Sequence, residues 1–364
     1  GEYNLLHVTL YDSEGGVMTA SIKADDETPL ESGEVRYFAT PLIYAPNVAD
    51  FVIADYDDLV EFASIAATTD KNALVVENIA IPADATWTPI EGFSKVFNGN
   101  GYTISGLKAP LFGTTSGTIK NLKVADVTIN MTDTLFAGAI ALTLESTAAS
   151  TAQLINCEAS GTITLSYNTV TITANFDATL ANIGGLVARA YGAKISKCVN
   201  RVNLVGALVS PADIGTQKKY YSPAFGGIVG FTNVPAAGSA TTLISHCDNY
   251  GSITINDSKA NETYSSPAMG GIAGVVNDKT AVLEHCCNYG PLAQNSLSRE
   301  TDAGGIVGRA YALKVDSCTN QKDGTITFTK IGRYSFFGGI CGNSYAVEYV
   351  NCRNKANISY QPTS

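Results

Sequence analysis

The sequence predicts an all-β protein built from stacked repeats. A glycine-rich phrase, Gly-Gly-Ile-Val-Gly, recurs along most of the chain, and a second phrase ending in Cys-x-Asn follows each copy of it. Only 15% of the residues are charged, whereas 34 are glycine and the repeats are dominated by Thr, Ser, Asn, Val and Ile. This is the composition of strands and turns. A phrase repeated at this spacing marks one supersecondary unit that is stacked on copies of itself.

The first phrase is clearest at residues 304–308 and has a degenerate form, Gly-Ala-Ile-Ala, at 138–141. Its other copies are at 184–188, 226–230, 270–274 and 338–342. The second phrase is an apolar residue, two polar residues, Cys, any residue and Asn. It occupies 195–200, 244–249, 283–288, 315–320 and 349–354, with earlier partial forms at 119–122 and 154–157.

The charge balance argues against nucleic acid as a partner. The chain has 33 acidic and 23 basic residues, a net charge of -10, and no basic cluster. The release of counterions from phosphates therefore cannot drive binding. No run of about 18 apolar residues is present, so we expect no membrane insertion by this segment. An export signal or a lipid anchor upstream of Gly1 is left open.

The first fifty residues predict a short β-rich leader. Apolar runs at 5–11, 17–22 and 34–44 alternate with Gly- and Pro-containing turns, which is typical of strands. So few strands rarely bury enough surface to be stable alone. We therefore divide the chain into a leader at 1–50 and a repeat array at 51–364.

One amphipathic helix is predicted at 55–67. Asp55 is a suitable N-cap and Asp58 a first-turn acid. The apolar stripe consists of Tyr56, Leu59, Val60, Phe62, Ala63 and Ala66. A single helix beside a β array is expected to cap its open end, where unpaired backbone groups would otherwise invite aggregation.

Strand signals begin at Leu74 and carry a family resemblance. The segments 87–90 (Trp-Thr-Pro-Ile), 97–107 (Phe-Asn-Gly-Asn-Gly-Tyr-Thr-Ile-Ser-Gly-Leu) and 111–113 (Leu-Phe-Gly), together with the Gly-Gly-Ile-Val-Gly copies, resemble the GLUG-type repeat family. Such repeats occur in bacterial cell-surface proteins, including adhesion lipoproteins of gut bacteria and the N-terminal region of immunoglobulin-A-specific metalloproteases.

The resemblance covers the chain from about Val52 to its end and implies a right-handed parallel β-helix. The family has no shared catalytic motif to transfer. We therefore expect a protein that is not an enzyme, with no catalytic residues and no cofactor.

In a parallel stack each residue lies about 4.8 Å from its counterpart in the next coil, so a repeated residue becomes a ladder. Six cysteines share one ladder position, which Leu122 fills in an earlier coil, so we expect small buried thiols there. Disulfides remain the alternative. The six are Cys157, Cys198, Cys247, Cys286, Cys318 and Cys352. The asparagines two residues later predict a corner with left-handed backbone angles and amide bonds to the adjacent coil.

Two polar positions before each cysteine are expected to face solvent. His246 and His285 fall there on successive coils beside Glu284 and Asp316. Imidazole and carboxylate groups are ordinary ligands of divalent metals, so these four residues are a candidate metal site. The alternative is a solvated face of mixed polar residues. Glu284 and Asp316 are also the pair that we nominate if the β-helix hydrolyses carbohydrate.

Longer polar insertions separate each Cys-x-Asn phrase from the next Gly-Gly phrase. They cover 206–223, 256–267, 294–302 and 330–335, and their recurrence at one point of the coil predicts loops that project from one side. Exposed tyrosines among polar loops suit glycan or protein recognition. The candidate ligand-binding residues are Tyr220, Tyr221, Tyr264 and Tyr334.

These observations together favour a cell-surface adhesion or binding module. We expect it to recognise a glycan or an extracellular host protein through its loops, at the outer-membrane surface of a bacterium or outside the cell. Two alternatives remain. One is a structural spacer without a ligand, and the other is a carbohydrate-active β-helix enzyme.

Overall fold

The protein is a parallel β-helix, as the sequence predicts. The computed structural model describes two parts of the chain. In the first fifty residues it describes the strands at 5–11, 17–23 and 43–45. In the rest of the chain it describes residues 51–132, 135–166, 181–208, 223–236, 238, 240–257, 267–295, 301–329 and 335–362.

Four parallel sheets, which we name I to IV, form the walls of the β-helix. The chain runs through sheets III, IV, I and II in that order before it begins the next coil. Each wall therefore receives strands from successive coils, and neighbouring strands within a wall come from neighbouring coils.

The strands of each sheet follow in chain order. Among the described residues, sheet I contains Phe51–Ile53, Ala73–Val75, Val96–Asn98, Thr118–Lys120, Gln153–Ile155, Lys194–Ser196, Leu243–Ser245, Val282–Glu284, Leu313–Asp316 and Val347–Val350. Sheet II contains Ile79–Ala80, Thr103–Ser105, Lys123–Met131, Glu158–Ser166, Val199–Leu208, Asp248–Asn249, Ile253–Asp257, Cys287–Asn288, Leu292–Asn295, Thr319–Asn320, Ile326–Phe328, Arg353–Asn354 and Ile358–Tyr360.

The other two sheets begin later in the chain. Sheet III contains Phe136–Ala137, Asn182–Gly184, Ala224–Gly226, Ala268–Gly270, Asp302–Gly304 and Phe336–Gly338. Sheet IV contains Phe112–Thr115, Ala141–Glu145, Val187–Tyr191, Val229–Asn233, Ala273–Val276, Val307–Ala310 and Cys341–Ser344.

The repeated phrases stack in register. The first glycine of one Gly-Gly phrase pairs with the first glycine of the next, as Gly226 does with Gly270 and Gly270 with Gly304. The Cys-x-Asn phrases do the same, since Asn249 pairs with Asn288 and Asn288 with Asn320. Sequence repetition therefore becomes rows of identical residues along the helix axis.

The core fills the space enclosed by the four sheets. Its sheet I wall is a row of aliphatic side chains with no solvent exposure, among them Ile195, Ile244, Leu283 and Val315. The repeat thus places one aliphatic residue per coil at the same inward position. At roughly 1.5–3 kcal/mol for each fully buried aliphatic side chain, this row supplies a large part of the stabilisation of every coil.

The helix α1, Tyr56–Ile65, closes the N-terminal end of this core. Asp55 caps it by accepting a hydrogen bond from the Asp58 amide at 3.0 Å, and the Asp58 carboxylate accepts one from the Ala54 amide at 2.9 Å. Leu59 and Phe62 are fully buried. The predicted cap is present, two residues shorter at its C-terminal end. Val60, which we assigned to the apolar stripe, is instead exposed.

The leader contributes three strands, Leu5–Tyr11, Val17–Lys23 and Ile43–Ala45. They form an antiparallel sheet that shares no strand with sheets I to IV. The predicted strand at 34–44 is described only at its end, as part of Ile43–Ala45. The domain boundary near residue 50 remains a prediction.

Candidate binding surface

The corner between sheets I and II is made by the residue immediately before each repeat cysteine. That residue has a φ of +52° to +55° at Asn156, Lys197, His246, His285 and Ser317. The left-handed region turns the chain sharply and points the side chain outward. We predicted this conformation for the asparagine two residues after the cysteine, and that prediction is wrong. The correct position is three residues earlier in the chain.

The asparagines of the Cys-x-Asn phrase instead form a buried ladder inside the coil. Asn249 Nδ2 donates to Asn288 Oδ1 at 2.8 Å, and Asn288 Nδ2 donates to Asn320 Oδ1 at 2.9 Å. The same pattern joins Asn200 to Asn249 and Asn320 to Asn354. The predicted amide bonding between coils is therefore confirmed. Each such bond satisfies a polar group that would be costly to bury alone.

Each ladder asparagine also holds its own turn. Asn249 Oδ1 accepts a hydrogen bond from the Gly251 amide at 3.1 Å, and Asn249 Nδ2 donates to the Gly251 carbonyl at 3.0 Å. The side chain thus closes a local ring two residues wide. A primary amide offers two donor hydrogens and an accepting oxygen at these positions, which explains why Asn recurs in the phrase.

The second glycine of each Gly-Gly phrase gives this ladder its space. A Cβ at Gly271 would lie 2.3 Å from Asn288 Cγ, and one at Gly305 would lie 2.4 Å from Asn320 Cγ. No real Cβ approaches another heavy atom this closely. The two repeated phrases therefore occur together because one accommodates the side chain of the other.

The cysteine ladder lies in the core beside the asparagines. Cys157, Cys198, Cys247, Cys286 and Cys318 are buried, and all eight cysteines of the chain are free thiols. Cys198 Sγ lies 3.2 Å from the Ser196 carbonyl oxygen and 3.6 Å from that of Leu154 in the preceding coil. Burial raises the pKa of the Cys157 and Cys247 thiols. They are therefore protonated and act as small core residues.

Because the left-handed corner points outward, His246 and His285 stand in solvent on adjacent coils. Their rings stack with centroids 4.9 Å apart and an interplanar angle of 27°. The structure thus brings the two predicted imidazoles together. Ser245, one residue earlier, is buried rather than outward-facing as predicted.

The two predicted carboxylates also lie side by side. Glu284 pairs in register with Asp316 in sheet I. The Asp316 carboxylate contacts Lys314 Nζ at 3.0 Å and accepts a hydrogen bond from the Ser317 hydroxyl at 2.9 Å. The hydrogen bond from Lys314, followed by that from Ser317, lowers the pKa of Asp316. Its oxygens are thus already engaged.

Within the described ranges, no three His, Cys, Asp or Glu side chains converge as metal ligands would. The metal site at His246, His285, Glu284 and Asp316 remains a prediction. The same holds for Glu284 and Asp316 as an acid pair for carbohydrate hydrolysis.

Sequence reasoning missed a further feature, a column of side chains one residue after each ladder asparagine and four residues after each histidine. We call it the tyrosine column, and it consists of Arg201, Tyr250, Tyr289, Gln321 and Lys355. The Tyr250 and Tyr289 rings stack with centroids 4.5 Å apart and planes 6° apart. The Arg201 guanidinium lies 4.5 Å from the Tyr250 ring centroid, on a coil adjacent to that of Tyr250. The rings therefore stand edge-on to solvent.

The two tyrosines of this column differ in exposure. Tyr250 is 40% exposed, whereas Tyr289 is half-buried. Partial burial, with smaller contributions from Cys287 and Asp248, raises the pKa of Tyr289 to about 12. Its phenol is consequently a hydrogen-bond donor at all physiological pH values. The motif that could have revealed the column is Asn-Tyr-Gly, which occurs at both 249–251 and 288–290.

The predicted ligand-binding residues Tyr220, Tyr221, Tyr264 and Tyr334 lie outside the described residues. The described residues on either side of these insertions lie at the same point of successive coils. Each insertion leaves the end of a sheet II strand and returns at the start of a sheet III strand, as at Ile253–Asp257 and Ala268–Gly270.

No protein-family model matches the chain, and no curated protein matches it in sequence. The GLUG-type repeat itself is therefore not shown, and the structural comparisons below support the fold alone. Two solved structures share that fold. One is described as a "putative immunoglobulin A1 protease" from Bacteroides ovatus, with a TM-score of 0.58 and 16% identity over 82% of this chain and 84% of the other. The second is named IgA1 Protease, with a TM-score of 0.58 and 15% identity.

The second match covers 99% of this chain and 26% of the other, so our chain spans about a quarter of that protein's length. The names of these structures correct one prediction. We expected the chain not to be an enzyme, but both of these structures are named as proteases, so that exclusion is wrong. At this level of identity the similarity itself shows the fold alone.

A search of the described residues finds no helix of the length and apolarity needed to cross a bilayer.

Proposed function

We propose that this chain is a recognition module of a bacterial cell-surface or secreted protein, and that it binds an extracellular glycoprotein or glycan. The observation that carries the proposal is a pair of aromatic stacks on the same two coils, Tyr250 with Tyr289 and His246 with His285. A core or a spacer does not need aromatic rings stacked in solvent, and tyrosine is the residue that interfaces favour because it combines apolar area with a hydroxyl.

The chemistry of the surface suits a neutral, hydroxyl-rich or amide-rich ligand. The ring faces of Tyr250 are occupied by Arg201 and Tyr289, so the column offers ring edges and phenolic hydroxyls. Arg201 is itself paired with Glu158 at 2.7 Å. Because Glu158 offsets the positive charge of Arg201, this pair gives no reason to expect a strongly anionic ligand.

The insertions between sheets II and III add a second recognition element to the proposal. They recur on successive coils, and they contain the candidate residues Tyr220, Tyr221, Tyr264 and Tyr334. Variable loops on a regular scaffold are a common arrangement for binding. The names of the two similar structures suggest immunoglobulin A1 as the first protein to test.

The test is a binding screen of the purified chain against immunoglobulin A1, matrix proteins and a glycan array. A double variant Tyr250→Ala/Tyr289→Ala should lose most binding, since a central aromatic contact is worth 2 kcal/mol or more, about thirtyfold in affinity. The matched control is Tyr311→Ala/Tyr345→Ala, which removes an exposed pair stacked at 5.8 Å where sheet IV leads into sheet I.

Three outcomes of this screen are informative. An equal loss of binding in Tyr250→Ala/Tyr289→Ala and Tyr311→Ala/Tyr345→Ala would contradict a specific role of the tyrosine column in ligand binding. Loss only in Tyr220→Ala/Tyr221→Ala/Tyr264→Ala would place recognition in the loops instead. Absence of binding by the wild-type chain to every ligand would reject the proposal and leave the spacer as the preferred alternative.

A second candidate function is proteolysis, which the names of the two similar structures favour. Incubation of immunoglobulin A1 with the purified chain, followed by denaturing electrophoresis, would reveal cleavage fragments. If the fragments persist in the Glu284→Gln/Asp316→Asn variant, the nominated acid pair plays no part in the cleavage.

A further inference from the structure

The outer faces of sheets III and IV pack against each other. In sheet III, Ile183 belongs to the main core, so Asn182 beside it points to the opposite face of the strand. A separate apolar cluster on this outer side joins residues of the two sheets. It consists of Ala224, Phe231, Ala268 and Val275, with Tyr191 packed against it. Side chains that leave the coil here therefore meet side chains of the other sheet.

Two rows of side chains line this outer contact, one from each sheet. The sheet III row is Phe136, Asn182, Ala224, Ala268, Asp302 and Phe336. The sheet IV row is Thr143, Arg189, Phe231, Val275, Arg309 and Asn343. Within a coil the second member follows the first by seven residues, as Arg189 follows Asn182 and Arg309 follows Asp302. Equivalent positions of different coils can therefore be compared directly.

The coil of Asp302 and Arg309 shows what these positions can hold. Arg309 Nε donates a hydrogen bond to the Asp302 carboxylate, and both residues are buried. Hydrogen bonds between a guanidinium and a carboxylate are charge-assisted and are among the strongest in proteins. In this coil the contact between sheets III and IV therefore binds a carboxylate, which its own sheet III strand supplies.

The coil of Asn182 and Arg189 has the arginine without the carboxylate. Arg189 Nε donates to the Thr143 hydroxyl at 3.1 Å, and the guanidinium lies 3.9 Å from the centroid of the Phe136 ring. In the part of the chain that the structure describes, no carboxylate forms an ion pair with Arg189. The position that Asp302 holds in the later coil is filled here by Asn182, which carries no charge.

The other titratable groups around Arg189 are Tyr191 and Glu145. The Tyr191 ring centroid lies 5.9 Å from the guanidinium, and partial burial raises the pKa of this tyrosine although Arg189 opposes the rise. Its phenol is therefore neutral. Glu145 pairs in register with Tyr191, but its Oε1 accepts a hydrogen bond from the Ala236 amide at 3.3 Å. Glu145 thus does not take the part that Asp302 plays for Arg309.

Asn182 adds a second donor that lacks an acceptor. The residue is buried, and its Nδ2 forms no hydrogen bond with any residue that the structure describes. Buried polar groups normally have a partner, and leaving one unsatisfied is costly. Asn182 also pairs in register with Phe136, the residue whose ring lies under the Arg189 guanidinium. The unsatisfied amide and the arginine therefore flank the same ring.

We propose that this coil binds a small organic carboxylate that is not part of the chain. The carboxylate accepts hydrogen bonds from the Arg189 guanidinium and from Asn182 Nδ2, and so takes the place that Asp302 has beside Arg309. Arginine suits this role because its planar guanidinium can bind both oxygens of a carboxylate. We call the residues involved the carboxylate site, and they are Phe136, Thr143, Asn182, Arg189 and Tyr191.

The surroundings of the carboxylate site define the rest of the ligand. The rings of Phe136 and Tyr191 suit a compact body with an apolar face. An aromatic acid and a sugar acid both combine such a face with one carboxylate. The site lies on sheets III and IV, whereas the tyrosine column follows the asparagines of sheet II. The inference therefore does not depend on the proposed function.

Ligand-detected NMR titration of the purified 364-residue chain tests the site. The probes are benzoate and glucuronate, and their uncharged counterparts are benzamide and glucose. At least one carboxylate should bind at least about tenfold more tightly than its counterpart, because a hydrogen bond to a charged group is lost in the neutral compound. Preference for benzoate indicates an aromatic acid, and preference for glucuronate a sugar acid. Failure of both carboxylates to bind at millimolar concentration would overturn the inference, as would equal binding of the neutral compounds.

Three variants locate the binding. Arg189→Gln removes the charge and should weaken the carboxylate probe at least about tenfold. Asn182→Asp recreates the Asp302–Arg309 pair, so its own carboxylate should displace the probe while thermal unfolding shows no loss of stability. The matched control Lys194→Gln removes the same charge from an exposed residue of sheet I and should leave the affinity unchanged.

Circular dichroism shows whether each variant folds. If Arg189→Gln does not fold, Asn182→Asp still decides the question, because it reproduces a pair that the chain already contains at Asp302 and Arg309. Binding of the probe by Asn182→Asp with the affinity of the wild type would overturn the inference. So would a loss in Lys194→Gln equal to the loss in Arg189→Gln.

Discussion

At the scale of single residues, the asparagine ladder shows why the same amide recurs from coil to coil. Asn249 takes part in four hydrogen bonds, with Asn200, Asn288 and both backbone groups of Gly251, and it is fully buried. Loss of the amide would leave several of these partners unsatisfied in the core, where each costs about 1–3 kcal/mol.

We therefore expect Asn249→Ala to lower the free energy of unfolding by at least about 3 kcal/mol. The matched control is Asn256→Ala. Asn256 also bonds an asparagine of the next coil, Asn295 at 3.0 Å, but it is exposed and should cost no more than about 0.5 kcal/mol. Urea unfolding followed by circular dichroism measures the free energy of unfolding of the two variants. Equal losses in Asn249→Ala and Asn256→Ala would show that burial of the amide is not what matters.

The Gly-Gly phrase makes a second prediction at this scale. In Gly271→Ala the new Cβ would meet both Asn288 and the Gly305 carbonyl oxygen, at 2.3 Å and 2.2 Å. The coil cannot relax without moving the ladder, so we expect a loss of several kcal/mol, above the 1–3 kcal/mol typical of overpacking.

Gly101→Ala is the appropriate comparison for Gly271→Ala. Its Cβ would meet nothing within 4 Å, but its φ is +84°. That conformation costs an L-residue about 1–2 kcal/mol. Thermal unfolding of the two variants separates steric conflict from backbone strain. If Gly101→Ala destabilises the protein more than Gly271→Ala does, contact with the asparagine ladder does not explain why glycine recurs in the Gly-Gly phrase.

At the scale of elements, α1 acts as a lid on the first coil. Phe62 sits among three aromatic rings, whereas Val60 on the same helix is 43% exposed. Phe62→Ala should therefore cost about 3–5 kcal/mol, and Val60→Ala about 0.5 kcal/mol or less. Hydrogen exchange is the sharpest measurement, because each coil of a solenoid contacts only its neighbours.

In Phe62→Ala we expect exchange to increase first in Phe51–Ile53 and Ala73–Val75, the strands nearest the lid in sheet I. Protection in Val282–Glu284 should not change. A uniform loss of protection along the whole chain would mean that the β-helix unfolds as a single unit and that the cap is not a local element.

At the scale of the whole molecule, stacking in register turns short phrases into rows that run along the helix axis. Each ladder asparagine bonds those of the coils on either side, as Asn249 does with Asn200 and Asn288. A substitution in one coil is therefore expected to act first on the coils beside it.

The class of fold, the coil spacing and the position of the cap follow from the sequence alone. These follow from local rules, since repeated apolar, glycine and asparagine positions create rows only when copies stack in register, and the N-cap of α1 is a local signal. The residue that adopts the left-handed conformation at the corner could not be predicted from such local rules. Asn200 looked like the left-handed residue, but Lys197 takes that role because the asparagine side chain is required inside the coil.

Which surface residues become neighbours can be seen only in the tertiary structure. Tyr250 and Tyr289 are 39 positions apart in the chain and become neighbours because Asn249 pairs with Asn288. Exposure is likewise invisible in the sequence, since Ile358, which is 39% exposed, occupies the same repeat position as the fully buried Ile326. Their exposure differs for one physical reason, which is that a repeat residue is buried by the next coil and the last described coil has none above it.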